Sequence, residues 1–321
     1  MRHRLFVLNI CGSICVNRKR ARTLRHLSKP SMVFQEKREK RQGSAHAGNE
    51  ETNREAVARF AAYPTPHESG VNPSSASLKA ALAAGSIQAA YQPIVALDTG
   101  AIVAEESLAR WVVGDGTLIP AGAFIDTAAA SGVLAAIDEV VLNQTLDRCH
   151  RRQTAGLPPR LHFVNISTAL LCAPDRLARI VGVVAACGTP LATDDPRLRS
   201  LIVEVTEREL VPHLPTLARE LDPLLGAGVR LALDDFGSGY SSFLYLADLP
   251  ITFLKIEQAL VARAGRDKRA DAIIRSIGRL AEEIGIIAIA EGIESAASAQ
   301  AVAALGITWG QGYHFGRPTQ V

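Results

Sequence analysis

The chain has 321 residues, of which 48% are hydrophobic and 21% charged, which is typical of a globular protein with one large α/β domain or two smaller ones. The net charge of +3 is uneven, because residues 1–42 carry 12 Lys or Arg against two Asp or Glu, whereas the rest of the chain carries a net charge of −7. Five cysteines without a Cys-x-x-Cys pair argue against a disulfide framework and a zinc centre, and they fit a reducing cytoplasm.

Residues 1–75 have charge runs, Ser, Gly and Pro punctuation and no sustained apolar period, so we predict a basic, disordered extension. Basic tails can bind nucleic acid or anionic membranes, but a solvated tail is more common, and we expect no stable nucleic-acid partner. The apolar run Leu5–Val16 is too short to span a bilayer, and Asn17–Arg20 follows it in place of a cleavage site. We therefore predict a cytoplasmic protein without a transmembrane segment.

From residue 76 to residue 321, strand and helix patterns alternate with short loops. Eight apolar runs predict strands: Ala90–Leu97, Ala101–Trp111, Leu161–Ile166, Leu201–Val205, Val229–Asp235, Phe253–Ile256, Ile286–Ala290 and Thr308–Gln311. Helical spacing predicts the helices Leu78–Ala84 (capped by Ser77), Pro120–Ala130, Val133–Arg152, Pro174–Cys187, Leu214–Leu225, Lys268–Ile284 and Ser295–Leu305. This alternation favours a single TIM-like (β/α)8 barrel, with an open doubly wound sheet as the alternative.

Two adjacent carboxylates, Asp234 and Asp235, follow the buried run that begins at Val229. Successive side chains of a strand point to opposite faces, so both acids can serve one site only if the strand ends there and the backbone turns. Gly237 and Gly239 permit such a turn. Considered alone, the motif is equally compatible with a solvated Asx-turn at a strand end.

Seven predicted strands carry a polar residue at or near the carboxyl end, where barrels of this type place their sites: Glu106, Asn165, Glu204, Asp234 with Asp235, Lys255, Glu291 and Gln311. The five carboxylates repel one another, and Lys255 alone cannot neutralise them, so either several are protonated or divalent cations lie among them. The donors are oxygens without Cys or His, which favours Mg²⁺ or Mn²⁺. There are enough of them for two ions.

The segment Glu106–Trp111 reads Glu-Ser-Leu-Ala-Arg-Trp and resembles the signature hexapeptide of the EAL family of cyclic di-GMP phosphodiesterases. Further stretches resemble the family's other motifs in the family's order: Tyr91–Ile94, Val164–Ser167, Glu204–Glu207, Asp234–Gly239, Leu254–Ile256, Ala290–Glu294 and Gln311–Tyr313. The resemblance covers about residues 77 to 318. Eight dispersed motifs in register are far more specific than the hexapeptide alone.

The resemblance implies a barrel with an antiparallel first strand, often paired as a homodimer, that hydrolyses cyclic di-GMP to linear pGpG with two metal ions. It implies these metal ligands: Glu106, Asn165, Glu204, Asp234, Asp235 (bridging both ions) and Glu291. By the same resemblance Lys255 holds or helps to deprotonate the attacking water, and Glu207 steadies the loop after the Asp pair. Gln92, Arg110 and Gln311 match positions near the dinucleotide.

The departures from the family pattern are few. Ser107 replaces a small alanine, Glu257 stands where Asp is usual, and Ala129 and Ala130 stand where acids are usual. The main alternative is a catalytically silent barrel that binds cyclic di-GMP, or a partner protein, as a receptor. Loss of a metal ligand would mark that state, and no ligand is lost here.

Overall fold

The structure, a computed structural model, describes residues 73–114, 116–158, 160–187, 201–206, 214–237 and 243–320. Most of the predicted extension lies outside these residues, so the boundary between residues 75 and 76 stays a prediction. In the part of the chain that is described, every helix is too short or too polar to cross a bilayer.

A closed eight-stranded barrel forms the centre of the fold, which confirms the predicted (β/α)8 architecture and shows the open sheet to be wrong. The strands are β1 (Ile87–Ala96), β2 (Ile102–Val112), β3 (Leu118–Pro120, paired with β2 outside the barrel), β4 (Leu161–Asn165), β5 (Leu201–Thr206), β6 (Arg230–Phe236), β7 (Ile251–Ile256), β8 (Ile287–Ala290) and β9 (Trp309–Gln311). Around the barrel the strands pair in the order β1-β9-β8-β7-β6-β5-β4-β2, and β2 pairs again with β1. Strand β1 is antiparallel to both neighbours, as the family resemblance implies, whereas the other barrel pairs are parallel.

The helices that flank the barrel agree with the predicted ones to within a few residues. They are α1 (Ser75–Ala83), α2 (Ile125–Ala130, after a 3-10 turn at Ala121–Ala123), α3 (Leu134–Thr154), α4 (Thr168–Leu171), α5 (Pro174–Cys187), α6 (Leu214–Gly226), α7 (Phe243–Asp248), α8 (Gln258–Val261), α9 (Lys268–Ile284) and α10 (Ala296–Ala304). The short α4, α7 and α8 were not predicted, because one or two turns do not establish a helical period.

Ser74 caps α1, so the predicted cap at Ser77 is wrong. The Ser74 hydroxyl accepts from the Ser77 N–H, and the Ser77 hydroxyl accepts in return from the Ser74 N–H, which forms a capping box. Leu78 on this helix is fully buried and belongs to the core between strands and helices. The first described helix therefore has its own start signal and its own anchor in the barrel domain.

A compact apolar layer fills the barrel interior, and its members are Ile94, Ala104, Leu161, Phe163, Ile202, Ala232, Phe253 and Ile289. Phe163 and Phe253 meet edge to face with their ring centroids 5.0 Å apart. The interior is thus packed rather than open, and polar chemistry is confined to the end of the barrel beyond this layer.

The part of β1 around Tyr91 and Gln92 forms hydrogen bonds with residues near the C-terminal end of the chain. Tyr91 exchanges both backbone hydrogen bonds with Thr319, and the Gln92 amide donates to the Gly316 carbonyl at 3.1 Å. On the same edge Gln144 of α3 bonds the Ala89 N–H and the Ile87 carbonyl through its side-chain amide. These contacts satisfy backbone groups of β1 beyond the short strand β9.

Removing residues 1–72 should leave the barrel folded, because the α1 cap and core contacts lie entirely within the remaining chain. We expect urea unfolding of the shortened chain to give an unchanged free energy. As a control, removal of residues 1–84 deletes buried Leu78 and Ala81 with their helix, and it should cost more than the roughly 2–5 kcal/mol usual for truncation of one buried leucine. Aggregation of the chain lacking only residues 1–72 would contradict the boundary at residue 75.

Candidate active site

Strand β6 brings both Asp234 and Asp235 to the mouth of the barrel by a local irregularity of its backbone. Leu233 pairs with Leu254 and Phe236 pairs with Ile256, so the two acids together lie opposite the single residue between those partners on β7. Asp235 has a φ of +57°, a left-handed conformation that Asp tolerates better than most residues. The expectation that the strand must end at the Asp pair is therefore wrong: β6 continues to Phe236, and a bulge reorients the second acid.

Lys255 of β7 occupies the centre of the site and is 1% exposed. Its ammonium Nζ lies 2.7 Å from Glu291, 2.9 Å from Glu204, 3.3 Å from Glu106 and 3.4 Å from Asp234. Burial alone would lower the pKa of Lys255, but the surrounding carboxylates outweigh burial and raise it well above its ordinary value. Lys255 is therefore a fixed cation at neutral pH.

Two side-chain amides hold Glu106 in place. The Asn165 amide donates to Glu106 Oε1 and to Glu204 Oε2, each at 3.1 Å. The Gln311 amide donates to Glu106 Oε2 and, at 3.1 Å, to Gln92 Oε1. Both oxygens of Glu106 thus accept hydrogen bonds, one from β4 and one from β9, which fixes the orientation of its carboxylate.

The carboxylates of the site differ in their proton affinity. Burial would raise the pKa of Glu106, but Lys255 and the Gln311 hydrogen bond lower it below the ordinary value. Burial, followed by the charge of Glu106, raises the pKa of Glu204 well above its ordinary value. Burial also raises the pKa of Asp234, against the influence of Lys255. One ammonium cannot compensate all these acids, so an added cation would find a site already rich in negative charge.

Asp234, Asp235 and Glu291 each offer an oxygen within 4.8 Å of the others, a spacing that one metal ion can bridge. Their donors are carboxylate oxygens, and the neighbouring Asn165 adds an amide. Oxygen donors without thiolate or imidazole are the set that suits Mg²⁺ or Mn²⁺. Three of the six residues predicted as metal ligands, Asp234, Asp235 and Glu291, therefore form a cluster that fits a hard divalent cation.

An unpredicted buried contact supports the segment behind Asn165. Asp138 of α3 accepts hydrogen bonds from both the backbone N–H and the hydroxyl of Ser167, which in turn caps α4. The signal for this contact was present in the sequence, because Asp138 interrupts an apolar stripe that continues at Val141 and Leu142. A buried acid in such a stripe needs a partner, but the pattern alone does not identify the partner.

Two cavities of about 250 and 530 Å³ open at the mouth and share Glu106, Leu108 and Glu291 in their walls. Gln92, Gln311 and the half-exposed Tyr313 line the smaller cavity, while Asn165, both aspartates and Lys255 line the larger one. Arg110 is not among the described residues that line either cavity; it is buried on β2 and donates to the Ala109 carbonyl. Glu207 lies outside the described residues.

The fold and the site together define a class of protein. Its members are closed (β/α)8 barrels with an antiparallel first strand and an acidic site, centred on a lysine, at the carboxyl ends of the strands. The family model for the EAL domain matches residues 75–318. The chain belongs to the EAL domain family, which confirms the resemblance seen in the motifs.

Curated relatives are about 30% identical to this chain over the aligned residues. The probable cyclic di-GMP phosphodiesterase PdeG of Escherichia coli K12 is 33% identical over 242 residues, which is 75% of this chain and 46% of PdeG. The cyclic di-GMP phosphodiesterase PdeL of the same organism is 29% identical over 228 residues, 71% of this chain and 61% of PdeL. The chain spans less than half the length of the first curated relatives that it matches.

Among solved structures, the PaMucR phosphodiesterase in its complex with c-di-GMP superposes with a TM-score of 0.68 at 28% identity. The match covers 77% of this chain and 97% of the other. The similarity therefore extends over the whole described barrel.

The metal-free protein should lose stability as pH rises, with a contribution from Glu291. Burial and the charge of Asp234 raise the pKa of Glu291 to about 8, whereas an unfolded carboxyl ionises near pH 4.5. The protonated form is thus favoured in the fold, and its contribution to stability is lost as pH rises towards and through 8. In EDTA, urea unfolding at pH 6 and pH 9 should show a larger fall for the wild type than for Glu291→Gln. Equal falls would contradict this environment for Glu291.

Proposed function

We propose that the chain is a metal-dependent phosphodiesterase that hydrolyses cyclic di-GMP to linear pGpG in second-messenger signalling. One observation carries the proposal: Glu106, Glu204, Asp234 and Glu291 all surround Lys255 in a single site, with both amides of the set in contact with Glu106. A barrel that only packed its core would not require acidic strand ends. Relatives named as cyclic di-GMP phosphodiesterases support the choice of substrate.

In this proposal two divalent cations, Mg²⁺ or Mn²⁺, are held by the predicted ligands: Glu106, Asn165, Glu204, Asp234, Asp235 and Glu291. When bound, the cations would supply positive charge to the phosphate and an activated water as nucleophile. Asp235 would be one of the ligands, because its carboxylate offers an oxygen within 4.8 Å of oxygens of Asp234 and Glu291. By the family resemblance it would be the ligand that both cations share. The carboxylates that are protonated in the metal-free site release their protons on binding.

Lys255 is the candidate catalytic residue that holds the attacking water. Of the two roles that the family implies, we propose the first, because the Lys255 ammonium lies within 3.4 Å of four site carboxylates and can donate a hydrogen bond to a water held among them. Its ammonium also keeps the four nearest carboxylates together before substrate arrives. The water oxygen would then form a bond to phosphorus while the bond between phosphorus and the 3′ oxygen breaks, and the proton lost by the water would pass to that 3′ oxygen. No covalent bond to the protein forms.

We propose that the dinucleotide contacts residues that line the smaller of the two cavities. Gln92 and Gln311, which line this cavity beside Glu106, are proposed to contact the substrate. Arg110 belongs to the proposed set through the motif alone, since the described cavities do not include it. Glu207 is proposed to steady the loop after the Asp pair.

We also propose that the chain forms a homodimer through the barrel and acts in the cytoplasm. Phe243 and Leu244 open helix α7, which follows the Asp-Asp-Phe-Gly segment in sequence, and each is 64% exposed. Exposed large apolar side chains of this kind are suited to an interface. Light scattering of the wild type and of a Phe243→Ser variant tests this part of the proposal.

Asp234→Asn should reduce cyclic di-GMP hydrolysis by at least about 100-fold, because loss even of a supporting contact in a metal site costs up to that factor. Its metal-free stability should be unchanged or higher, since the change relieves repulsion among buried acids. Asp147→Asn, a charge change at an exposed position of α3 that lines neither cavity at the mouth, is the matched control and should remain fully active.

The assay incubates the purified chain with cyclic di-GMP and Mg²⁺, Mn²⁺ or Ca²⁺ and separates the nucleotides by chromatography. Metal-dependent appearance of pGpG supports the proposal. Tight binding of cyclic di-GMP without any product in Mg²⁺ or Mn²⁺ would identify a receptor instead. A phosphorylated protein side chain trapped during turnover would contradict direct attack by water.

A further inference from the structure

Strand β2 carries two consecutive glutamates that serve opposite faces of the barrel wall. Glu106 points into the mouth, where it meets Lys255 and the two amides described above. Glu105 is 4% exposed and contacts side chains on the helix-facing side of the strand. Successive residues of a strand alternate in this way, so each carboxylate has one face available to it.

Two arginines bind the Glu105 carboxylate, one at each oxygen. Arg148 of α3 donates from Nε to Oε2 at 2.7 Å, and Arg160, which directly precedes β4, contacts Oε1. Burial alone would raise the pKa of Glu105, but the two arginines outweigh burial and lower it. A carboxylate buried without partners would cost several kcal/mol, so this face is stable only with the arginines in place.

The same arrangement connects β2 with the strands on both sides. Strand β4 pairs with β2 so that Glu105 lies opposite His162, and Asn165 farther along β4 donates to Glu106. The Arg148 guanidinium also lies 4.1 Å from the ring centroid of Tyr91 on β1. Burial lowers the pKa of His162 to about 4, so this histidine is neutral and the arginines alone supply the charge.

A register problem follows from the doubled glutamate. A slip of one residue would turn Glu105 into the mouth and Glu106 towards the helices, and the residue type at the site would not change. The glutamates themselves therefore cannot distinguish the two registers. Backbone pairing of β2 with β1 and β4 sets the register. Arg148 and Arg160 then hold Glu105 on the outer face, which keeps its neighbour Glu106 in the mouth.

We propose that Glu105 is a positioning residue, and that its clamp by Arg148 and Arg160 fixes strand β2 so that the Glu106 carboxylate faces the metal site. The inference rests on the proposed function for the role of Glu106. Its geometric part, the placement of Glu106 beside Lys255, is independent of catalysis.

Glu105→Gln tests the proposal, with Glu139→Gln as the matched control. Glu139 lies on α3 and, like Glu105, is bound by two arginines, Arg176 and Arg179 of α5, but it is not among the residues that line the cavities at the mouth of the barrel. Both changes remove one negative charge from a carboxylate held by two arginines. Because Arg160 is more exposed than Arg148, Arg160→Gln is a milder second variant that tests the same clamp if Glu105→Gln does not fold.

Two quantities are measured well below the melting temperature of each variant. Calorimetric titration with Mn²⁺ alone should show a loss of affinity of about 10–100-fold for the clamp variants, the usual effect of removing a group that orients a ligand. Acetylation of Lys255 in the metal-free protein, followed by mass spectrometry, should increase because Glu106 no longer covers the ammonium. The control should change neither quantity, even where its melting temperature falls.

Wild-type Mn²⁺ affinity and wild-type protection of Lys255 in the folded clamp variants would overturn the proposal. A fall in melting temperature with both quantities unchanged would likewise reduce Glu105 to a structural role. If the wild type itself bound no Mn²⁺ and hydrolysed no cyclic di-GMP, the proposed function would fail. The acetylation of Lys255 would still decide whether Glu105 positions Glu106.

Discussion

The site depends on the interaction of one buried ammonium with four carboxylates. Lys255 Nζ lies within 3.4 Å of Glu106, Glu204, Asp234 and Glu291, which come from four different parts of the barrel wall. Bringing these acids together is unfavourable without a cation, and one ammonium compensates them only in part. In the metal-free site the single positive charge of Lys255 does not balance the four carboxylates around it. The negative charge that remains is what allows the site to bind added cations.

The positions of most site residues could be predicted because parallel strands place their carboxyl ends together. Apolar runs located all eight barrel strands, and the polar residues at their ends then had to converge on one mouth. The local route taken at the Asp pair could not be predicted in this way. The bulge in β6 depends on how Leu233 and Phe236 pair with β7, which follows later in the sequence. The residue pattern within β6 alone does not predict that pairing.

Contacts between side chains that are distant in the sequence also could not be predicted from sequence patterns. Asp138 is visible as an acid in an apolar stripe, but its partner Ser167 is identified only when α3 packs against the segment after β4. The pairing of Glu105 with Arg148 and Arg160 is of the same kind. In both cases a buried charge requires a partner, and the fold alone decides which residue supplies it.

The closure of β1 by the last residues of the domain has a consequence for how the barrel forms. The Gln92 amide bonds the carbonyl of Gly316, 224 residues later in the sequence, and Tyr91 pairs with Thr319 close by. Until those residues have left the ribosome, the backbone of β1 around Tyr91 lacks its hydrogen-bonding partner on one edge. Barrel closure is thus a late event of high contact order, and a nascent chain that stalls before residue 316 exposes a site for mispairing with its neighbours.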